Sequence, residues 1–411
     1  MTNYEQFFSQ AGRVLRESAI RKMGTVLAAS REVISFAPGY PAHESFAWDA
    51  FRAIADDLLT RQSHDLLQYG ATRGYRPLIE TIIGIQHARG ITSTADEIIV
   101  TTGSQQGLYL IARALFDPGD VVFVELPSYT GAITAFRGFG AELVGVKQDS
   151  DGINLDDLDR QLARVRAEGR RAKCVYLVPN FQNPTGLLLS LEKRRALAAW
   201  AEREDLLIIE DDPYRDLYFT DVTTEADTRP LAADETNGRV IYLSSFSKTL
   251  APGFRTAWLV APAAIAAKIE LAKQAIDLCT SGFDQQMVHE ACVRGVLEAQ
   301  APKLRALYQG KRDVMVEALE TELAGALSWA EPRGGFFLWA TLPDGLHADR
   351  LLERATAQGV IYVTGSAFFI DDTGHEHIRL SFSAPTEARI QEGVKRLGQA
   401  MKHELAVSNA L

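Results

Sequence analysis

Lys248 ends the run Ser244-Ser245-Phe246-Ser247-Lys248, just past the strand-like Ile241-Tyr242-Leu243 and upstream of Arg255. An amine at a strand end, among hydroxyls and near a second cation, has a lowered pKa and is free to act as a nucleophile in Schiff-base chemistry. Gly103-Ser104-Gln105-Gln106-Gly107 lies between a strand-like run and an amphipathic stretch. There, backbone N–H groups and the helix dipole hold a phosphate without a Walker lysine. Asp211 closes the apolar run that begins at Leu206, with Tyr214 just beyond. A carboxylate so placed keeps a pyridinium nitrogen protonated, which lets the ring accept electrons. Asn183-Pro184-Thr185-Gly186 reads as a turn past another strand. Taken singly, each feature has a plainer reading: a solvated lysine, a glycine turn with Ser104 as N-cap, a strand-end cap, a turn. Their common position at strand ends makes those plainer readings interdependent.

The elements that must position these residues are legible as apolar runs alternating with helical periodicity. Strands are predicted at 97–100, 121–124, 141–146, 174–178, 206–209, 240–243 and 257–260, and helices over 105–116 and 128–136. Asn154 caps a helix whose Leu155, Leu158, Leu162 and Val165 share one face and which Gly169 ends, and Ser190 opens another. Leu206-Leu207-Ile208-Ile209 is continuous, as in strands buried on both faces of a mostly parallel sheet. Such sheets bind ligands at the carboxyl ends of their strands. After about Ala291 the texture changes to a long charged helical region, then Gly334-Gly335-Phe336-Phe337-Leu338-Trp339, a helix over 348–358, and Ile378-Arg379-Leu380-Ser381. This reads as a smaller α+β unit sharing a large interface with the sheet, since no low-complexity linker intervenes.

With 411 residues, 46% of them hydrophobic, the chain can bury a large core. A formal net charge of -10 argues against nonspecific binding to nucleic acid or anionic membrane. Met1 to Gln10 lack a basic segment followed by an apolar run, and no apolar stretch is long enough to span a bilayer, so a cytoplasmic location is expected. Cys174, Cys279 and Cys292 lack metal-ligand spacing and read as reduced thiols. His375-Glu376-His377 reads as a polar loop before a strand, since no third ligand stands at a recognisable spacing, and no metal is expected.

The ordered set Gly103-Ser104-Gln105, Tyr129, Asn183-Pro184-Thr185-Gly186, Asp211-Asp212-Pro213-Tyr214, Ser245-Phe246-Ser247-Lys248, Arg255 and Arg379 resembles the class I/II aminotransferases of PLP fold type I, over essentially the whole chain. Ile20-Arg21-Lys22-Met23, Ser35-Phe36-Ala37-Pro38-Gly39 and Asn180-Phe181-Gln182-Asn183-Pro184 are most similar to the kynurenine/2-aminoadipate branch. The resemblance implies an α/β fold with a large domain of mostly parallel sheet at 51–290, a small α+β domain at 291–411, and an N-terminal segment, 1–50, that completes the small domain and the active site. It implies pyridoxal 5'-phosphate as cofactor, carried on Lys248. Asp211 would partner the pyridinium nitrogen, Asn183 and Tyr214 would donate to the phenolic oxygen, and Tyr129 would stack on the ring. Ser104, Gln105, Ser245, Ser247 and Arg255 would hold the phosphate, joined by Tyr69 from a neighbouring subunit of a homodimer. Arg379 would clamp the substrate α-carboxylate, Gly39 and Tyr40 would face the substrate, and Arg21 would recognise its far end.

Two positions depart from the branch: Tyr40 stands where relatives often have a smaller aliphatic residue, and Thr364 precedes Gly365 where many have proline. The implied reaction is transfer of an α-amino group from an L-amino acid (aromatic, aliphatic or 2-aminoadipate-like) to a 2-oxo acid such as 2-oxoglutarate. Elimination, decarboxylation or oxidation on the same fold and cofactor differ only in which Cα bond stands perpendicular to the ring. A third alternative, an effector-sensing half of a transcription regulator, calls for an N-terminal winged helix-turn-helix, and the aminotransferase-like pattern begins by Arg21.

Overall fold

Apolar runs without alternation become strands buried on both faces, and the central sheet is made of them. The computed structural model describes residues 4–9, 12–13, 32–235, 237–323 and 325–408. After the short strand β1 (Ile34–Ser35) come helices α1 (Trp48–Arg61) and α2 (Arg76–Ala88), then β2 (Ile98–Thr102), α3 (Ser104–Leu115), β3 (Val121–Leu126), α4 (Thr130–Arg137), β4 (Glu142–Asp149) and β5 (Gly152–Ile153). The chain continues through α5 (Leu155–Ala167), β6 (Ala172–Leu177), α6 (Leu191–Glu204), β7 (Leu207–Asp211), β8 (Val240–Ser245) and β9 (Thr256–Val260). Val121 to Val124, Cys174 to Leu177, and Ile208 and Ile209 are fully buried. Each such side chain contributes roughly 1.5–3 kcal/mol through removal from water.

The eight strands lie in the order β2-β9-β8-β7-β6-β3-β4-β5. Strands β8, β7, β6, β3 and β4 pair in parallel, while β9 runs against both β2 and β8, and β5 against β4. The carboxyl ends of β2, β3, β6, β7 and β8 therefore share one edge of the sheet, and the amino end of the reversed β9 joins them. Two predicted helix starts have side-chain caps: Asn154 Oδ1 accepts from the Asp157 backbone N–H at 2.7 Å, and Ser190 Oγ from that of Lys193 at 3.2 Å. Each cap is worth about 1 kcal/mol. The predicted element at 128–136 begins two residues later than expected, because Tyr129 is extended and Ser128 N–H bonds to Phe368 O instead.

Helices α7 (Ala263–Gln274) and α8 (Gly282–Val293) lead to the long α9 (Val296–Leu323), which opens the C-terminal part. There β10 (Ser328–Trp329), β11 (Phe337–Thr341), β13 (Val363–Thr364) and β14 (His377–Ser381) form an antiparallel sheet in the order β10-β11-β14-β13. Helices α10 (Ala348–Ala357) and α11 (Glu387–Ser408) accompany it, and the short β12 (Val360–Ile361) pairs in parallel with β1, Ile34 opposite Val360. One continuous apolar cluster runs from Ile99, Val122 and Tyr176 in the large sheet to Phe336, Leu380 and Val394 in the C-terminal part. A packed interface, not a tether, joins the two.

Candidate active site

The shared strand edge carries a cavity of about 580 Å³, within the usual range for small-molecule sites. Each strand end delivers one kind of group to it. Beyond β2, Gly103 turns the chain at φ +79° into α3, so that Ser104 and Gln105 form the helix N-terminus. A Cβ at Gly103 would fall on the Arg255 guanidinium, so both the backbone angle and the space require glycine. Arg255, just before β9, itself holds a left-handed φ of +47°. Beyond β8, Ser245 Oγ donates to Ser247 Oγ at 2.8 Å and accepts from the Ser247 N–H at 3.0 Å. Hydroxyls, helix N–H groups and a guanidinium thus converge at one end of the cavity, a donor set suited to a phosphate.

Lys248 Nζ donates to Gly39 O at 2.9 Å and lies 5.5 Å from the centre of the Phe336 ring. Burial lowers its pKa to about 8, and the positive charges of Arg255 and Arg379 push the same way. Neutral amine is the nucleophilic form. Covalent capture of pyridoxal phosphate by the cofactor-free protein should therefore quicken with pH and level off above about 8, where a solvated lysine would still be gaining near 10.5. Stopped-flow absorbance of reconstitution checks this; a rate still climbing at pH 10 would refute the depressed pKa.

Asp211, at the end of β7, accepts the Tyr176 hydroxyl proton on Oδ2 at 2.9 Å, whereas its buried Oδ1 has no hydrogen-bond partner. Burial raises its pKa to about 7 against the Tyr176 bond, and Asp212 raises it further. A buried carboxylate oxygen left unpaired is costly, and a protonated heteroaromatic nitrogen is the kind of donor that would relieve it. With an amine for an aldehyde, a carboxylate for a ring nitrogen and the phosphate cradle, the residues present fit pyridoxal phosphate.

Arg379 on β14 is fully buried and points its face at the Phe337 and Phe368 rings, 4.3 and 4.9 Å away. Its Nη1 donates to Asn183 Oδ1 at 2.6 Å, its Nη2 donates to Ala37 O, and its buried Nε is unpaired. Burial lowers its pKa to about 10, so it remains a cation at neutral pH. Since Asn183 Oδ1 accepts from Arg379, the amide nitrogen is turned the other way and keeps both its protons to donate. Tyr129 O–H donates to Gln105 Oε1 at 3.3 Å, which ties its ring to the N-terminus of α3.

Of the residues singled out in the sequence, Gly39, Tyr40, Ser104, Gln105, Tyr129, Asn183, Asp211, Tyr214, Ser245, Ser247, Lys248, Arg255 and Arg379 all line this cavity. Tyr69 does not: it stands on the surface, 78% exposed. Arg21 lies outside the described residues. Sequence reasoning missed Tyr176, whose hydroxyl steadies Asp211, and Phe337, which lies under Arg379 and so near Gly39 that a Cβ there would meet the ring at 2.5 Å. Phe337 was in view only as part of an apolar run, and nothing in that run says which side chain faces the cavity.

The model of the family described as aminotransferase class I and II matches residues 31–397. The aromatic-amino-acid aminotransferase 1 of Thermococcus litoralis is 38% identical over 404 residues, 98% of this chain and 96% of that protein. Among solved structures, the Pyrococcus horikoshii kynurenine aminotransferase, in complex with PMP, superposes with a TM-score of 0.93 at 37% identity, covering 98% of both chains. The α-aminoadipate aminotransferase of Thermus thermophilus, complexed with N-(5'-phosphopyridoxyl)-L-leucine, superposes with a TM-score of 0.89 at 36% identity, covering 99% of this chain and 100% of that one.

Proposed function

Since the chain belongs to the class I and II aminotransferases, with PLP fold type I architecture and pyridoxal 5'-phosphate as cofactor, we propose that its donors are L-amino acids with aromatic, aliphatic or 2-aminoadipate-like side chains and its acceptor is a 2-oxo acid, foremost 2-oxoglutarate. The observation that carries this reading is the meeting, in one cavity, of a lysine with its pKa lowered to about 8, an unpaired oxygen on Asp211 and the buried guanidinium of Arg379. The relatives add the substrate classes, since their names include aromatic amino acids, kynurenine and α-aminoadipate.

Ser104, Gln105, Ser245, Ser247 and Arg255 hold the phosphate. Asn183 and Tyr214 would donate to the phenolic oxygen, and Tyr129 would cover the ring face. The cofactor supplies the electron sink, and Asp211 keeps its ring nitrogen protonated so that the sink stays deep. Arg379 binds the substrate α-carboxylate through two parallel N–H groups, which fixes the orientation of Cα. The Lys248 amine, with its pKa lowered to about 8, would hold and move the Cα proton, first as base and then as acid. Gly39 and Tyr40 face the substrate, and Tyr40, 64% exposed, adds contact area at the mouth. Exposed Tyr69 reaches the phosphate of a second subunit in a homodimer with shared sites. No described helix is long and apolar enough to cross a membrane, and we place the enzyme in the cytoplasm.

A coupled panel of amino acids against 2-oxoglutarate tests the reading: turnover is expected with phenylalanine, leucine, kynurenine and 2-aminoadipate. In a single turnover each donor should yield one equivalent of 2-oxo acid and of aminated cofactor. Release of pyruvate with ammonia would instead point to elimination. Arg21 is assigned to the distal carboxylate of acidic substrates through its match to the 2-aminoadipate branch. Arg21→Ala should weaken kcat/KM for glutamate, 2-oxoglutarate and 2-aminoadipate by about ten- to a hundredfold, roughly 1.5–3 kcal/mol for one charge-assisted contact. Phenylalanine and leucine should change little in the donor half-reaction. Equal losses for acidic and apolar donors would make Arg21 a structural residue.

A further inference from the structure

A second group of chemically competent side chains lies outside the cavity, on the C-terminal part. His347 immediately precedes α10, Asp349 lies in its first turn, and His375 comes from the loop before β14. One ligand atom from each falls within 4.8 Å of the others. His375 Nδ1 is 3.1 Å from Asp349 Oδ2, and His347 Nδ1 is 3.5 Å from the same oxygen. Zinc–nitrogen and zinc–oxygen bonds of about 2.0–2.2 Å at a tetrahedral angle put neighbouring ligand atoms about 3.3 Å apart. The two observed separations bracket that edge.

The hydrogen bonds around the cluster hold its ligand atoms in place. His375 Nε2 lies 3.1 Å from the Asp372 carbonyl oxygen and its Nδ1 lies 3.1 Å from Asp349 Oδ2, so both ring nitrogens face acceptors, and a metal ion at Nδ1 would take the place of a proton there. His347 Nδ1 is shielded from solvent and makes no hydrogen bond. A histidine whose second nitrogen donates to a backbone carbonyl is the usual outer support of a metal ligand. The backbone holds the ligands in place: Ala348 N–H donates to His375 O at 2.7 Å, and Leu342 N–H to Glu376 O at 2.7 Å. The ligand-bearing segments are thus fastened together before any ion arrives.

We propose that His347, Asp349 and His375 bind one divalent transition cation of the zinc class, with water completing the coordination. Two imidazoles and a carboxylate match zinc or cobalt rather than calcium or magnesium, which take oxygen ligands. None of the three lines the cavity, so the ion has no part in the proposed transfer chemistry. Its position gives it a bracing role instead. It ties the start of α10 to the loop that feeds β14, the strand carrying Arg379. Sequence spacing hid the site because the ligands come from two segments that only the antiparallel sheet brings together.

The test uses untagged holoenzyme, stripped with EDTA and dialysed, and titrated with Zn²⁺ by calorimetry and with Co²⁺ by absorbance. One equivalent is expected to bind with a dissociation constant on the order of micromolar, with visible Co²⁺ bands of four-coordinate intensity. Saturating Zn²⁺ should raise Tm, and EDTA should reverse the rise. H347A, D349A and H375A should each weaken binding at least about tenfold while leaving transaminase turnover unchanged. H375N serves as a second probe should H375A fold poorly. Absence of a saturable equivalent, or an equivalent that survives all three substitutions, would overturn the proposal.

Discussion

Lys248→Ala is expected to lower turnover by at least about a thousandfold, because it removes the group proposed to move the Cα proton, and positioned acid–base catalysis alone supplies about 10²–10⁴. The variant should still bind the cofactor, since the proposed phosphate cradle of Ser104, Gln105, Ser245, Ser247 and Arg255 is untouched. Borohydride treatment separates this from general damage. In the wild-type protein it should fix the cofactor to a peptide containing Lys248, and in the variant it should fix none. An adduct mapped to any other lysine would end the assignment. The buried Nζ, 2.9 Å from Gly39 O, also predicts that alanine leaves a void rather than a strained contact, so the folded state should survive.

Asp211→Ala comes next in size, an expected loss of about 10²–10³ in turnover at saturating cofactor, the range for removing one preorganised electrostatic partner of developing charge. Without the carboxylate the ring nitrogen gives up its proton, and negative charge at Cα has nowhere to spread. Tyr176→Phe should give a smaller loss in the same direction, since it removes only the donor to Oδ2. Near-normal turnover of cofactor-saturated Asp211→Ala would make the residue a strand-end cap. The free protein adds an independent check. Burial lifts the Asp211 pKa from 3.8 to about 7, so its contribution to stability is full below the lower value and is lost as pH rises through the upper one. Cofactor-free protein should therefore lose stability between about pH 4 and 7, and less steeply in Asp211→Asn. Glu125 and Glu210, also lifted to about 7 by burial, share the window, so the difference between wild type and variant is the diagnostic quantity.

Residue type and local order were enough to read the strands of the large sheet apart from β5, the two capped helices and the strand-end groups around Ser104, Asn183, Asp211 and Lys248, because glycine turns, caps and strand-end polar groups act over a few neighbours, whereas Gly39, Tyr40, Tyr129 and Arg379 came from the resemblance. Direction was not readable. The run containing Ala257 to Val260 is apolar throughout, as a strand buried on both faces must be, and such a run looks the same whichever way it points; β9 proved to run against its neighbours. Two-residue strands such as β5, β12 and β13 are too short for any period to show. The support behind the site was equally hidden. Glu125 on β3 accepts from Gln182 Nε2 at 2.8 Å and from the Val178 N–H at 3.0 Å, and Gln182 Oε1 in turn accepts from Thr185 Oγ1 at 2.5 Å. That network pins the turn holding Asn183, yet its members come from different strand ends and share no local pattern. The resemblance supplied roles for the groups that touch the cofactor, not for those that hold them still.

The pairing of β1 with β12 has a consequence in time. Ile34 is opposite Val360, Phe36 O accepts from the Ser381 N–H, and Ala37 O takes a bond from Arg379. The segment bearing Gly39 and Tyr40 is thus made more than 300 residues before its partners. Domains form in order of synthesis where their contacts are local, so the nascent chain can assemble the large sheet and expose Lys248 well before the substrate side of the cavity exists. During that interval Lys248 lacks Arg379, whose charge helps lower its pKa, and the Phe336 ring beside it, so the amine gains its reactive form only when the C-terminal part docks and the N-terminal segment pairs with it.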